Sequence, residues 1–235
     1  NLIHQSLFSP SKLLHKSLGQ VSYHRIRRRL EIPVKDFGSC EACAVSKITR
    51  CSFHTRHSRA MKPFEELHMD LVGPILPISR EGFKYFLTIV DSCTRYCSAI
   101  PVKHKSDVAE TIAQAIGLEA KRFSYFPSVI HSDRGTEFIN SHLLEFCNKN
   151  FIRARQSDAY TPQQNELAER FNRSIIESAR AILQDTGLKK RLWSEIFKTS
   201  TLTLNQIPCH KSKTSPYELF KGRNIDIGFF KPIGI

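Results

Sequence analysis

An α/β domain over roughly residues 64–220, led by a small and strongly basic helical segment, is the fold class that this 235-residue sequence predicts. Three observations predict it. Short β-type apolar runs follow one another from Leu67, helix-spaced apolar stripes alternate with two further such runs beyond Val102, and the positive charge is concentrated ahead of both. Residues 1–62 hold 12 Lys/Arg against 3 Asp/Glu, a net +9 of the chain's +13, so a basic arm precedes a more balanced domain. An excess of that size favours polyanionic partners, nucleic acid or an anionic surface.

The elements follow in order. From Leu13 to Leu30, apolar Leu14, Leu18, Val21, Ile26 and Leu30 recur among Lys and Arg, which predicts one or two short basic helices. After Pro33 that pattern breaks, and Cys40, Cys43 and Cys51 fall in a polar stretch that continues to Pro63, with 52–63 read as a linker. Three strands are expected at Leu67–Leu71, Tyr85–Val90 and Tyr96–Val102. A helix capped at Ser106 or Asp107 follows, with Ala109, Ile112, Ala113, Ile116 and Ala120 on one stripe. Ser128–His131 is a fourth short strand, a helix is expected from Phe138 to Asn148, and a fifth strand near Phe151–Arg155. A long helix starts after Pro162 and carries Leu167, Ala168, Phe171, Ile175, Ala179 and Ile182 at helical intervals to about Asp185, with Gly187 ending it. Leu192–Leu204 is the last helix, and the tail after Lys221 carries no clear element.

The sequence has no apolar run of 18 residues, the length needed to cross a membrane, and its first 20 residues lack the pattern of a secretory signal. Seven cysteines, an odd number at irregular spacing, argue for reduced thiols rather than a disulfide framework. The expectation is a soluble intracellular chain without membrane partners. Its first residue, Asn1, further suggests a piece of a longer protein.

Three carboxylates stand where a fold would present them: Asp70 within the strand Leu67–Leu71, Asp133 just past the fourth strand, and Glu169 in the long helix. A carboxylate between Met69 and Leu71 is costly to desolvate unless a cation or hydrogen bonds offset it. Converging acidic side chains can hold two Mg²⁺ ions roughly 3.5–4 Å apart for phosphoryl transfer. Taken singly, each residue could equally be a cap or an ion-pair partner.

The motifs themselves carry a resemblance. His68-Met69-Asp70-Leu71-Val72-Gly73-Pro74, Ser132-Asp133-Arg134-Gly135-Thr136-Glu137-Phe138 and Thr161-Pro162-Gln163-Gln164-Asn165, leading to Ala168-Glu169-Arg170 and Asn172-Arg173, resemble the catalytic core of a copia-type retrotransposon integrase. The resemblance extends to Leu192-Trp193 and Ser215-Pro216-Tyr217-Glu218-Leu219, and the 35 residues between Asp133 and Glu169 match that family's spacing. It implies an RNase H-like mixed five-stranded sheet with flanking helices, and Asp70, Asp133 and Glu169 as a metal-binding catalytic triad using Mg²⁺ or Mn²⁺. Helical spacing puts Asn165, Asn172 and Arg173 at i−4, i+3 and i+4 from Glu169, so they are expected on one polar, DNA-facing surface. Two departures stand out: Glu166 where the family commonly has Gly, and Arg134 where Asn is commoner.

Ahead of the core, His15-Lys16-Ser17-Leu18-Gly19 and Cys40-Glu41-Ala42-Cys43 are similar to the zinc-binding pre-integrase segment of the same family, here 1–51. Two thiolates two residues apart suit one Zn²⁺, with two imidazoles completing a tetrahedron. The second His of that pattern falls at position 20, which is Gln20 here, and an amide oxygen is a weak substitute for imidazole. His24, one turn on, is the expected replacement; Cys51, His54 or His57 are alternatives, and a metal-free basic helix pair contacting phosphates through Arg25, Arg27, Arg28 and Arg29 is another.

The resemblance thus implies insertion of element DNA into target DNA by metal-dependent phosphodiester transfer. It also implies a homo-oligomer, a place beside the other products of a retrotransposon polyprotein, and residence in the cytoplasm, within a virus-like particle, and in the nucleus. Residues 221–235 read as the start of a further C-terminal region. An inactive nucleic-acid-binding remnant is the alternative, suggested by Gln20.

Overall fold

A computed structural model describes residues 10–31, 33, 40–46, 60–156, 166–209 and 212–233. Helices α1 (Pro10–Ser17), α2 (Tyr23–Leu30) and α3 (Glu41–Ser46) precede strands β1 (Glu66–Val72), β2 (Tyr85–Asp91) and β3 (Cys97–Val102). Helix α4 (Val108–Phe123), strand β4 (Val129–Ser132), helix α5 (Ser141–Lys149) and strand β5 (Arg153–Gln156) follow. Helices α6 (Glu166–Thr186), α7 (Trp193–Asn205) and α8 (Pro216–Lys221) come last. The chain divides into two compact units, 53–173 and 1–52 with 174–235, the division falling inside α6.

The 53–173 unit is built on one mixed sheet of order β3-β2-β1-β4-β5. β1, β2 and β3 form an antiparallel meander, while β4 runs parallel to β1 and β5 parallel to β4. The parallel strands require crossovers, and α4 and α5 supply them. Period-two alternation in β1 sends Leu67 and Met69 into the core, 2% and 0% exposed, and leaves Glu66, His68 and Asp70 together on the other face. Phe86, Leu87 and Val90 of β2 and Ile112 and Ile116 of α4 are also fully buried or nearly so. β1 must stop at Gly73: its φ of +139° belongs to glycine, and a Cβ there would lie 2.7 Å from the Lys84 carbonyl oxygen.

In the other unit Leu18, Val21, Ile26 and Ile207 form a buried cluster, flanked by Leu14, Tyr23, Leu30 and Leu204. The basic segment is therefore two helices whose apolar residues share this small core. Several boundaries differ from the sequence expectation. α5 begins at Ser141 because Asn140, not a residue before Phe138, caps it by accepting from the His142 amide. β5 starts two residues late because Phe151, at φ +56° and 93% exposed, still belongs to the turn after α5. α8 is an element the sequence expectation lacks, although Ser215, whose hydroxyl accepts from the Glu218 amide, and Pro216 at its first turn are an ordinary helix start. Among the described residues no helix is long and apolar enough to cross a membrane. None of the six described cysteines is in a disulfide, in keeping with reduced thiols, and Cys51 lies outside the described residues.

Candidate active site and candidate zinc cluster

Asp70 lies in β1, directly across from Thr88 of β2. Asp133 follows the last residue of the neighbouring β4, and its carboxylate accepts from the Gly135 amide at 3.0 Å, which fixes the turn that presents it. Glu169 is exposed in the first turn of α6. Their charges converge on Asp70. Burial pushes its carboxyl up from 3.8 to about 6, and the negative charges of Asp133 and Glu169 push it the same way, against hydrogen bonds from Asn172 and the Leu71 amide. Asp91 shows the contrasting case: a fully buried strand-end carboxylate that accepts from Phe64 N, Thr94 N and Thr94 Oγ1, at 2.6–2.8 Å, and so anchors a turn.

The structure corrects the expectation for Asn172. It does not face outward with Glu169; it is 4% exposed, its Nδ2 donates to Asp70 Oδ2 at 2.7 Å, and its Oδ1 accepts from Thr88 Oγ1. The reason is helical phase. Ala168, Ile175 and Ala179, all 1% exposed or less, place 172 on the buried stripe at spacings of four, three and four. Arg173 is exposed, as expected, while Asn165 lies outside the described residues, as does the Thr161–Gln164 motif. The departure at Glu166 is locally neutralised, because Arg170 Nη2 lies 2.7 Å from its carboxylate.

Two residue pairs go beyond the sequence expectation. Thr88 orients Asn172 from the strand opposite Asp70. One step back along the same sheet face, His68 pairs with His131, their rings stacked at 4.5 Å, and His131 Nε2 lies 2.6 Å from Glu66 Oε1. The sequence does hold a signal for the second pair: both His residues precede a triad Asp by two, the period of a strand face.

In the other unit His15, Cys40 and Cys43 bring ligand atoms within 4.8 Å of one another. His15 is 2% exposed, its Nδ1 sits 2.6 Å from the Val21 carbonyl, and its Nε2 lies 3.5 Å from Cys43 Sγ. His24 does not join them. It is exposed on α2, and Gln20 takes the place expected for it: the Cys40 and Cys43 thiols donate to Gln20 Oε1 at 3.3 and 3.5 Å. Cys51, His54 and His57 lie outside the described residues. Arg25, Arg27 and Arg28 are exposed on α2, whose Ile26 is fully buried; Arg29 belongs to the same helix.

With this geometry in place, residues 60–162 match the family described as integrase core domain. The chain is 30% identical over 169 residues, 72% of its length, to the retrovirus-related Pol polyprotein from transposon TNT 1-94 of Nicotiana tabacum. It is 27% identical over 202 residues, 83% of its length, to the Ty1-NL2 Gag-Pol polyprotein of Saccharomyces cerevisiae. The chain spans only 12–13% of these relatives' own length. Among solved structures, the HTLV-2 integrase catalytic core domain in complex with magnesium matches 69% of this chain and 99% of its own at 21% identity, with a TM-score of 0.52. A simian T-cell lymphotropic virus intasome in complex with a PP2A regulatory subunit matches 93% and 74% at 16% identity, with a TM-score of 0.61. These likenesses establish the RNase H-like fold. Sheet, motifs and relatives agree, and the chain belongs to the retrotransposon integrases, carrying the integrase core domain found in Pol polyproteins.

Proposed function

We propose that the chain joins the 3′ ends of linear element DNA to target DNA, with Asp70, Asp133 and Glu169 holding one or two divalent cations. The observation that carries this reading is the convergence of three carboxylates, two of which disfavour ionisation of the third. An all-carboxylate donor set is hard and suits Mg²⁺ or Mn²⁺. When bound, the metal supplies a Lewis acid that activates the attacking hydroxyl and stabilises the leaving oxygen. Asn172 holds the Asp70 carboxylate in one orientation through Oδ2. The exposed Arg173, four residues from Glu169, is placed to contact phosphate. His15, Cys40 and Cys43 fit Zn²⁺ through their sulfur and imidazole donors. The whole protein is proposed to act as a homo-oligomer on element and target DNA, alongside other polyprotein products, passing from cytoplasmic particles to the nucleus.

The test is a strand-joining assay. Purified chain, a labelled duplex oligonucleotide bearing the element end, and supercoiled plasmid are incubated with Mn²⁺ or Mg²⁺, and joined product is expected only with metal. Metal-independent product rejects the metal-carboxylate reading, and no product with either ion rejects strand joining in favour of an inactive DNA-binding remnant.

A second outcome concerns affinity. Arg25, Arg27 and Arg28 project from α2 while Ile26 holds the helix to its small core, so they supply salt-sensitive, sequence-independent binding. Changing all three to Ala should lower the slope of log affinity against log salt by about 0.9 for each phosphate no longer neutralised. Fluorescence anisotropy with random duplex across a salt series checks this; an unchanged slope removes α2 from the DNA interface.

A further inference from the structure

We infer that Gln20 is the fourth zinc ligand of this chain, its amide oxygen completing a Cys₂-His-Gln set with Cys40, Cys43 and His15. The inference rests on the zinc reading of the segment and goes beyond it, because an amide oxygen replaces an imidazole at that vertex.

The donor spacing matches a tetrahedral zinc shell. Zn–S bonds of about 2.3 Å and Zn–N or Zn–O bonds of about 2.0–2.1 Å give tetrahedral edges of about 3.5–3.6 Å between sulfur and a nitrogen or oxygen donor. The edges in the structure are 3.3 Å (Cys40 Sγ to Gln20 Oε1), 3.5 Å (Cys43 Sγ to Gln20 Oε1) and 3.5 Å (Cys43 Sγ to His15 Nε2). Three edges of the shell are therefore already at coordination length, and the ligand atoms of His15, Cys40 and Cys43 all lie within 4.8 Å of one another.

The backbone, too, is committed to this placement. Gly19 and Gln20 both take positive φ, +67° and +64°, which reverses the chain after α1. The Gln20 amide donates to the His15 carbonyl at 2.8 Å, tying two of the ligand residues together. A Cβ on Gly19 would come within 2.7 Å of Thr203 Oγ1, so glycine is required at the turn. Left-handed backbone is costly for a long side chain such as Gln20. Yet that side chain is turned inward, 1% exposed, beside two thiols rather than into water. His15 is prepared in the same way: its Nδ1–H donates to the Val21 carbonyl and leaves the Nε2 lone pair on the cysteine side.

Binding would displace the two S–H protons to solvent, and the Gln20 oxygen that accepts from the thiols would donate its lone pair to the metal instead; no electrons are transferred. A neutral amide oxygen is a weaker donor to Zn²⁺ than imidazole or carboxylate. The expected site is structural in its donor count but readily exchangeable.

The test uses the full chain under reducing conditions, with Co²⁺ as spectroscopic probe and Zn²⁺ affinity measured against a chromophoric chelator. Gln20→His and Gln20→Glu should bind Zn²⁺ tighter than the natural chain, and Gln20→Leu weaker, each by about tenfold. The visible Co²⁺ bands should also change on Gln20→Leu, with the sulfur-to-metal band retained. Circular dichroism identifies variants that fail to fold, and Gln20→Glu, equal in length, serves where Gln20→Leu does. Equal affinity and equal Co²⁺ bands for the natural chain and Gln20→Leu, with binding lost in Cys43→Ser, would overturn the Gln20 assignment and leave the zinc reading standing. No uptake of either metal by the natural chain would overturn both.

Discussion

Asp70→Asn should abolish strand joining and, in the same preparation, make the metal-free protein more stable at neutral pH. The first effect is the loss of a carboxylate ligand: several kcal/mol of metal-mediated charge stabilisation correspond to on the order of 10³-fold or more in rate. The second follows from the raised carboxyl, about 6 against 3.8. A group whose folded pKa is raised contributes stability that is fully present below the unfolded value and lost as pH rises through the folded value. Ionised Asp70 therefore costs on the order of 2–3 kcal/mol above pH 7, at 1.36 kcal/mol per pH unit. Asparagine removes that cost but keeps a single acceptor, so it can serve the Leu71 amide or the Asn172 amide, not both, giving back about 1 kcal/mol. A net gain of about 1–2 kcal/mol remains, a few degrees in Tm for a chain of this size. Thermal melts in chelator at pH 7.5 and pH 4.5 check it: the variant should lead at the first and lose its lead at the second. A variant that joins DNA, or one no more stable than the natural chain at pH 7.5, contradicts the proposed carboxylate cluster.

Burial also decides which parts of the molecule are legible in the amino acids. The strands β1 to β4 are legible as short β-type apolar runs bounded by turn residues, and the stripe of α6 because burial imposes a period of 3.6 that survives in the sequence. The three carboxylates are legible through their motifs, since each sits at the end or middle of such a periodic run. Asn172 is misread for a related reason. Its proximity to Glu169 along the helix suggests a DNA-facing residue, whereas its phase with Ala168, Ile175 and Ala179 decides that it faces the core. Thr88 and the His68–His131 pair depend on which strands become neighbours, and the parallel pairing of β1 with β4 shows in the sequence only as the shared two-residue offset of His68 and His131 from Asp70 and Asp133. Gln20 reads as a lost ligand as long as only residue type is considered. Its position depends on two successive residues of positive φ that no propensity scale announces for glutamine.

Asn172→Leu should reduce strand joining by about a hundredfold and move the pH dependence of the remaining activity upward, because a side-chain donor that orients a carboxylate of the proposed metal site contributes about 2–3 kcal/mol. Asn172 lowers the Asp70 pKa through its hydrogen bond, against burial and two negative neighbours, so its removal raises the pH at which the carboxylate becomes a free ligand. A merely structural role would lower stability without moving that profile. Stability separates the two contributions. Leucine leaves Thr88 Oγ1, on a residue 0% exposed, without the acceptor it has in Asn172, at a cost of about 1–3 kcal/mol. Thr88→Val alone costs a similar amount for the mirror-image reason, since it strips the donor from Asn172 Oδ1. In the double variant neither buried polar atom remains, so the two losses should combine to clearly less than their sum. The double variant should recover stability while its pH profile stays displaced, as the donor to Asp70 is still missing. Additive losses in denaturant melts, together with an unshifted pH profile, would remove Asn172 from the positioning of Asp70 and leave the carboxylate held by the Leu71 amide.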